Sequence, residues 1–186
     1  MAPSHLYWLI VGCEAAFWLI LALALAVRYL LRLDRHSRLL LFALPGLDLV
    51  LFGLTALDLK RGSPAAFAHG LAAAYVGVTL AFGGVAVSWA DRHVAHWFAG
   101  SPRPAPAPTR GWPALRYELV LWVRCLVAAL ITILLVIGLI AFVNNEAATE
   151  ALHLWLRIPF GSVILWFLFG PLWTLLFTSW RREPNA

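Results

Sequence analysis

Charged residues are scarce in this chain of 186 residues. They make up 12% of the sequence, whereas soluble domains carry about 25%, and hydrophobic residues make up 62%. There is too little charge to cover a water-facing surface, which excludes an ordinary soluble domain of this length. The composition therefore predicts one compact membrane domain spanning residues 1–186.

Signatures of enzymes and metal sites are also lacking. The two cysteines, Cys13 and Cys125, form no C-x-x-C motif, which counts against a thiol-oxidising membrane enzyme. No nucleotide-binding loop or catalytic dyad is present. His69 and His153 lie at similar predicted depth, as axial haem ligands would, but a pair of histidines at helix ends is more often structural. We predict no cofactor and no metal ion.

Five long apolar stretches fill the chain. A bilayer core roughly 30 Å thick needs about 20 apolar residues in a helix, and lipid offers no partner for an unpaired backbone group. The predicted helical spans cover about residues 6–31, 39–59, 65–90, 117–143 and 152–180. The fold class is thus an all-α membrane protein, a single bundle of five transmembrane helices.

Arginines crowd into alternate breaks between these spans. They are Arg28, Arg32, Arg35 and Arg38 around the first break, Arg92, Arg103, Arg110 and Arg116 around the third, and Arg181 and Arg182 in the C-terminal tail. The fourth break, 144–151, has two glutamates and no basic residue. The positive-inside rule therefore predicts that the N-terminus is outside and the C-terminus is cytoplasmic. Lys60 and Arg61 in the second break run against this prediction, because they would lie outside.

The third break is expected to contain two different segments. Residues 91–99 continue as an interfacial helix, and four prolines then impose an extended connector at about 100–113 on the cytoplasmic surface. We favour a stiff connector over a proline-rich ligand for a partner domain.

Small residues form a stripe along the third span. Gly70, Ala74, Gly77, Ala81 and Gly84 recur at spacings of four and three, which places them on one helix face. Such a stripe lets another helix approach closely, and close packing drives helix association in lipid. We favour packing within the bundle, with the third span at its centre, over a homodimer face.

Two charges are predicted to lie deep on the cytoplasmic side. Asp48 is roughly 13 Å into the second span and Arg124 roughly 10 Å into the fourth, at 1.5 Å per residue. A buried carboxylate costs a few kcal/mol unless it is paired, protonated or hydrated. An Asp48–Arg124 ion pair is therefore the natural hypothesis, as a structural clamp or as part of a transport route.

A second polar group is expected toward the outside. Glu14 is roughly 12 Å into the first span, and Asp58, His69 and Arg157 lie near outer span ends. Glu14 together with His69 or Arg157 would form either a buried network or a small pocket open to the outside.

Several strings resemble a known family. They are TALDL at 55–59, FAHGLAAAY at 67–75, SWADR at 88–92, TEAL at 149–152 and FGPLW at 169–173. Together they resemble the YmcC-like family of small bacterial integral membrane proteins. The resemblance implies a bacterial inner-membrane location and no catalytic residue, since the family has no assigned activity. It directs attention to Asp58, His69, Trp89, Asp91 and Arg92, on which these strings centre.

Three functional hypotheses follow. The first is a non-enzymatic accessory, scaffold or sensor subunit. The second is a small transporter or proton-coupled carrier using Asp48, Arg124 and Glu14, and the third is a membrane enzyme using Glu14, Asp58 and His69. Expected partners are membrane lipids, together with another membrane protein or a second copy of the chain, and not nucleic acid.

Overall fold

The computed structural model describes the backbone of residues 3–177, and their side chains except at 3–7, 9, 10, 14 and 42. The first four spans are continuous helices: α1 (Pro3–Tyr29), α2 (Asp34–Lys60), α3 (Phe67–Ala99) and α4 (Gly111–Val143). The fifth combines α5 (Glu146–Thr149), a 3₁₀ segment (Glu150–Leu156), α6 (Ile158–Phe167), a π-helical segment (Leu168–Leu172) and α7 (Trp173–Phe177). The described residues contain no strand.

All five spans are long and apolar enough to cross a membrane. The predicted fold, an all-α membrane protein with five transmembrane helices, is confirmed. Lipid cannot hydrogen-bond a free N–H or C=O group, so each span satisfies its backbone internally.

The third span lies at the centre of the bundle. Helix α1 packs on α2 and α3, and α4 packs on α3 and on the fifth span. In α3, 33% of the apolar stretch is buried inside the bundle, the largest share among the five spans. In the fifth span the share is 11%. The α1–α2 turn and the α3–α4 connector share one end of the bundle, hereafter the arginine-rich end. The α2–α3 and α4–α5 turns share the opposite end.

The small-residue stripe packs inside the bundle over part of its length. Gly70 is in contact with the Trp155 ring, and Gly77 faces Ala128 and Thr132 of α4. Ala81 is buried, Ala74 is half-buried and Gly84 is exposed. Gly70 and Gly77 therefore leave room for a tryptophan ring and for a neighbouring helix, which is the packing that small residues permit in lipid.

The fifth span is irregular because of its prolines. Pro171 lies in the π-helical segment, where a proline removes one backbone donor and its ring displaces the preceding turn. Gly170 beside it is buried, and a Cβ there would lie 2.7 Å from Oε2 of Glu118 on α4. The FGPLW string is thus the place where this span changes its winding and approaches α4.

Helices α3 and α4 extend well beyond their predicted apolar stretches at the arginine-rich end. Helix α3 runs without a break through 91–99 and ends at Ala99. Gly100 follows it, with a φ of 66° that suits a glycine. Helix α4 begins at Gly111 rather than near Tyr117, with Pro113 in its first turn, where a missing N–H costs nothing. The connector between them, 100–110, has no regular secondary structure.

We expect Gly77→Ala to destabilise the bundle by about 1–3 kcal/mol, as overpacking usually does. The added Cβ would lie 2.6 Å from the Ala128 carbonyl oxygen and 2.5 Å from Thr132 Oγ1. Gly84→Ala is the matched control, because nothing lies within 4 Å of its Cβ position. Thermal unfolding in detergent measures both; equal melting temperatures for the two variants would contradict the packing described here.

Candidate functional site

The opposite end holds a closely connected polar cluster, hereafter the Asp58–His69 cluster, formed by Asp58, Ser63 and His69. His69 Nε2 lies 3.4 Å from Asp58 Oδ2, and Ser63 Oγ donates to Asp58 Oδ1 at 3.0 Å. Asp58 and His69 are 6% and 3% exposed. The structure thus brings together two members of the outer polar group named from the sequence, at the junction of α2 and α3.

The hydrogen bonds of His69 determine its tautomer. Ala66, the residue preceding α3, donates its backbone N–H to His69 Nδ1 at 3.0 Å. Nδ1 is therefore an acceptor, so that the proton of the neutral ring sits on Nε2 and points to Asp58. The side chain at the third helical position reaching back to cap the helix is half of a capping box. Both ring nitrogens are engaged, which leaves His69 poorly placed to act as a base or to ligate haem iron.

Neighbouring contacts tie the same end to the rest of the bundle. Trp155 Nε1 donates to the Phe67 carbonyl at 3.0 Å, and Lys60 Nζ donates to the Phe142 carbonyl at 2.8 Å. The Ala65 N–H donates to the Ala148 carbonyl at 2.8 Å. The α2–α3 turn is thereby attached to α4 and to the start of the fifth span.

Arg157, another member of the predicted outer group, stands apart from this cluster. Arg157 is exposed at the junction between the 3₁₀ segment and α6. Glu14 lies on α1, but its side chain is outside the described residues. The network of Glu14 with His69 or Arg157 therefore stays a prediction.

Asp48 lies against α1 and α3 rather than against α4. Its side chain is 4% exposed and lines a cavity of about 150 Å³ with Cys13, Tyr75 and Thr79. A buried carboxylate thus lies beside a cavity in mid-bundle. Asp48 therefore remains the residue on which a transport route would depend.

Arg124 has a different partner from the one predicted. Its Nη1 donates to the Ala81 carbonyl on α3 at 2.7 Å, and no ion pair joins it to Asp48 among the described residues. The structure therefore corrects the predicted Asp48–Arg124 clamp. Depth along the helix was argued from sequence, but the direction around the axis was not: Asp48 faces α1 and α3, whereas Arg124 meets the backbone of α3 from α4.

The arginine-rich end has its own polar network around Asp91. Arg28 Nη1 lies 3.1 Å from Asp91 Oδ1, and Tyr29 donates to the same oxygen at 2.8 Å. Arg28 also lies 3.5 Å from Asp34. The end of α1 is thus held to α3. The sequence analysis used Arg28 only to predict the orientation of the chain. The SWADR string was the signal that directed attention to Asp91.

The remaining residues of the SWADR string lie on the surface of α3. Trp89 is exposed, and its ring centroid lies 4.3 Å from that of His93. Arg92 is exposed, and its Nε donates to the Ser88 carbonyl at 3.0 Å. Within the described residues, no group of three His, Cys, Asp or Glu side chains could hold a metal ion.

One curated protein, the uncharacterized membrane protein YmcC of Bacillus subtilis (strain 168), is 37% identical to this chain over 128 residues, 69% of the chain. This chain belongs to the YmcC-like family of membrane proteins. The matched segment spans 66% of that relative's length, just under two thirds. No protein-family model matches the chain, and no solved structure matches it.

Trp155 is a core residue that its place in the sequence does not reveal. It lies near the start of the predicted fifth span, a position typical of interfacial tryptophans, yet it is 5% exposed and packs with Leu59, Val136 and Leu152 in a core cluster. The available signal was Gly70, since a glycine in a packing stripe marks a position where a large group approaches. Gly70 does not identify the group that approaches it, because the Trp155 ring belongs to the fifth span, 85 residues away in sequence.

We expect His69→Ala to destabilise the protein by about 1–3 kcal/mol, since it removes the acceptor of the Ala66 N–H and a donor to Asp58 in a buried site. His153→Ala is the control, because that side chain is exposed on the 3₁₀ segment at the same end. Thermal unfolding in detergent would show a lower melting temperature for the first variant alone. An unchanged melting temperature for His69→Ala would refute a structural role.

Proposed function

We propose that this multi-pass membrane protein is a non-enzymatic accessory or scaffold subunit of the bacterial cytoplasmic membrane. The observation that carries the proposal is that the side chains suited to acid–base chemistry or ion binding are engaged in hydrogen bonds within the bundle. Both nitrogens of His69 are engaged, and Arg124 donates to a backbone carbonyl. Asp91 is held by Arg28 and Tyr29. These groups stabilise helix contacts instead of lining a catalytic cleft.

The proposed orientation places the arginine-rich end in the cytoplasm and the N-terminus outside. The distribution of arginines between the alternate breaks supports it, because basic residues near span ends are retained on the cytoplasmic side. With five spans, the C-terminus is then cytoplasmic.

The fifth span is the proposed contact surface for a partner subunit. It is the least buried of the five, with 11% of its apolar stretch inside the bundle. Phe160, Ile164 and Phe169 are 59–71% exposed along it. Its contact with α3 and α4 also leaves an apolar cavity of about 330 Å³, lined by Phe82 and Trp166 among others. A helix of a partner can bury such a surface by close packing.

A small proton-coupled carrier is the second candidate function. The observation that favours it is Asp48, a carboxylate 4% exposed beside a cavity of about 150 Å³. Ionisable groups at such positions in membrane proteins often belong to proton relays.

Proton flux in liposomes separates the two candidates. Under the accessory proposal, liposomes with the protein leak protons no faster than empty ones, and Asp48→Asn changes nothing. Asp34→Asn is the control, because its carboxylate is 71% exposed at the arginine-rich end. A flux that requires a carboxylate at Asp48 but not at Asp34 would overturn the accessory proposal in favour of the carrier.

Copurification tests the accessory role directly. We expect the protein, extracted from its native membrane in mild detergent, to migrate with a stoichiometric membrane-protein partner. A double variant, Phe160→Ala with Ile164→Ala, should release this partner. Leu19→Ala with Leu23→Ala on α1 is the matched control, since these side chains are also lipid-exposed, 70% and 53%. Migration of the wild-type protein as a partner-free monomer would contradict the proposal.

A further inference from the structure

A large cavity opens at the arginine-rich end, between the last turns of α3, the connector and the first turns of α4. Its volume is about 820 Å³, within the roughly 300–1,000 Å³ typical of ligand pockets. Trp89, Arg92 and His93 line it from α3, Arg103 from the connector and Tyr117 from α4. It lies outside the Asp58–His69 cluster and the Asp48 cavity.

The cavity is positively charged and contains no carboxylate among its lining residues. Arg92 uses Nε for the Ser88 carbonyl, so its two terminal nitrogens remain for a ligand. His93 Nδ1 donates to the Trp89 carbonyl at 2.8 Å, which leaves Nε2 toward other groups. The nearest carboxylate along α3, Asp91, is held by Arg28 and Tyr29. Neither Arg92 nor Arg103 has an ion pair within the described part of the chain.

The connector holds Arg103 in place. Pro102 and Pro104 flank it, and a residue before proline is restricted to extended conformations. Prolines 104, 106 and 108 themselves form part of the cavity wall. A stiff wall of this kind loses little conformational entropy when a ligand binds, and it keeps the guanidinium opposite α3.

The cavity lies at the depth of lipid headgroups. From Phe67, at the opposite end of α3, to Trp89 the helix rises roughly 33 Å at 1.5 Å per residue, about the thickness of the hydrocarbon core. Trp89 is 58% exposed and Tyr117 is 40% exposed. Tryptophan and tyrosine prefer this interface, where the ring meets acyl chains and the polar atom meets headgroups.

We propose that this cavity binds the phosphate of an anionic phospholipid headgroup between Arg92 and Arg103. Planar guanidinium groups match phosphate oxygens with paired hydrogen bonds, and the opposite charges meet at a boundary where water is partly excluded. The rings of Trp89 and Tyr117 flank the start of the acyl chains, which favours a membrane lipid over a soluble phosphate. The inference does not depend on the proposed accessory function or on the orientation of the chain.

Native mass spectrometry of the full-length protein in mild detergent tests this proposal. Phosphatidylglycerol, an anionic lipid, is titrated against phosphatidylcholine, which carries the same phosphate with a compensating positive charge. We expect phosphatidylglycerol to bind in preference. Each lost arginine should weaken binding about tenfold, because a hydrogen bond to a charged group contributes roughly 1.5 kcal/mol. Arg92→Gln with Arg103→Gln should therefore bind phosphatidylglycerol about 100-fold more weakly than the wild type.

The matched control is Arg32→Gln with Arg35→Gln. Both arginines are exposed at the same end of the bundle, and the variant loses the same charge without touching the cavity. Its affinity should stay close to that of the wild type, and size-exclusion profiles should be alike for all three proteins. Equal losses in the two double variants would overturn the assignment, since they would show a diffuse charge effect.

Inorganic phosphate separates the two sources of the same chemistry. At matched ionic strength, potassium phosphate should displace bound phosphatidylglycerol no better than potassium chloride. Displacement by phosphate at concentrations comparable with that of the lipid would overturn the assignment to a headgroup. Equal binding of phosphatidylcholine and phosphatidylglycerol would overturn it as well.

Discussion

A membrane interior supplies no hydrogen-bond partner, and the whole structure follows from that constraint. The backbone is satisfied by helices, and polar side chains inside the bundle donate to main-chain carbonyls. Arg124 donates to Ala81, Trp155 to Phe67 and Thr132 to Ala128. A carbonyl that already accepts one helical hydrogen bond retains a second lone pair, so each of these donors is satisfied without an additional buried charge.

The arginine-rich end and the opposite end of the bundle use their polar groups differently. At the opposite end, Asp58 and His69 are buried, and the contacts of the α2–α3 turn with α4 and the fifth span close the surface. At the arginine-rich end, α3 and α4 extend beyond the apolar core, and a proline-rich connector leaves a cavity between them. The first arrangement uses its polar groups for stability. The second leaves positive charges directed at an open space.

This contrast bears on what a member of the YmcC-like family can do. A histidine and a carboxylate in contact resemble part of an acid–base site, but the His69 ring caps a helix and has no nitrogen to spare. Asp48 is different, because it borders a cavity inside the bundle. The proposals made for this chain therefore rest on Asp48, the charged cavity and the lipid-exposed fifth span, rather than on the buried histidine.

The sequence by itself determined that the chain is a membrane protein and how many spans it has, because hydropathy and the length of an apolar stretch depend only on position along the chain. It also identified the stripe containing Gly70 and Gly77. Only the tertiary structure decided which groups meet: Asp58 with His69, Asp91 with Arg28, and Arg124 with a carbonyl instead of Asp48. The reason is rotational. Depth is set along a helix axis, whereas partners are chosen by the direction a side chain faces around that axis, and this direction is set by how all five spans pack.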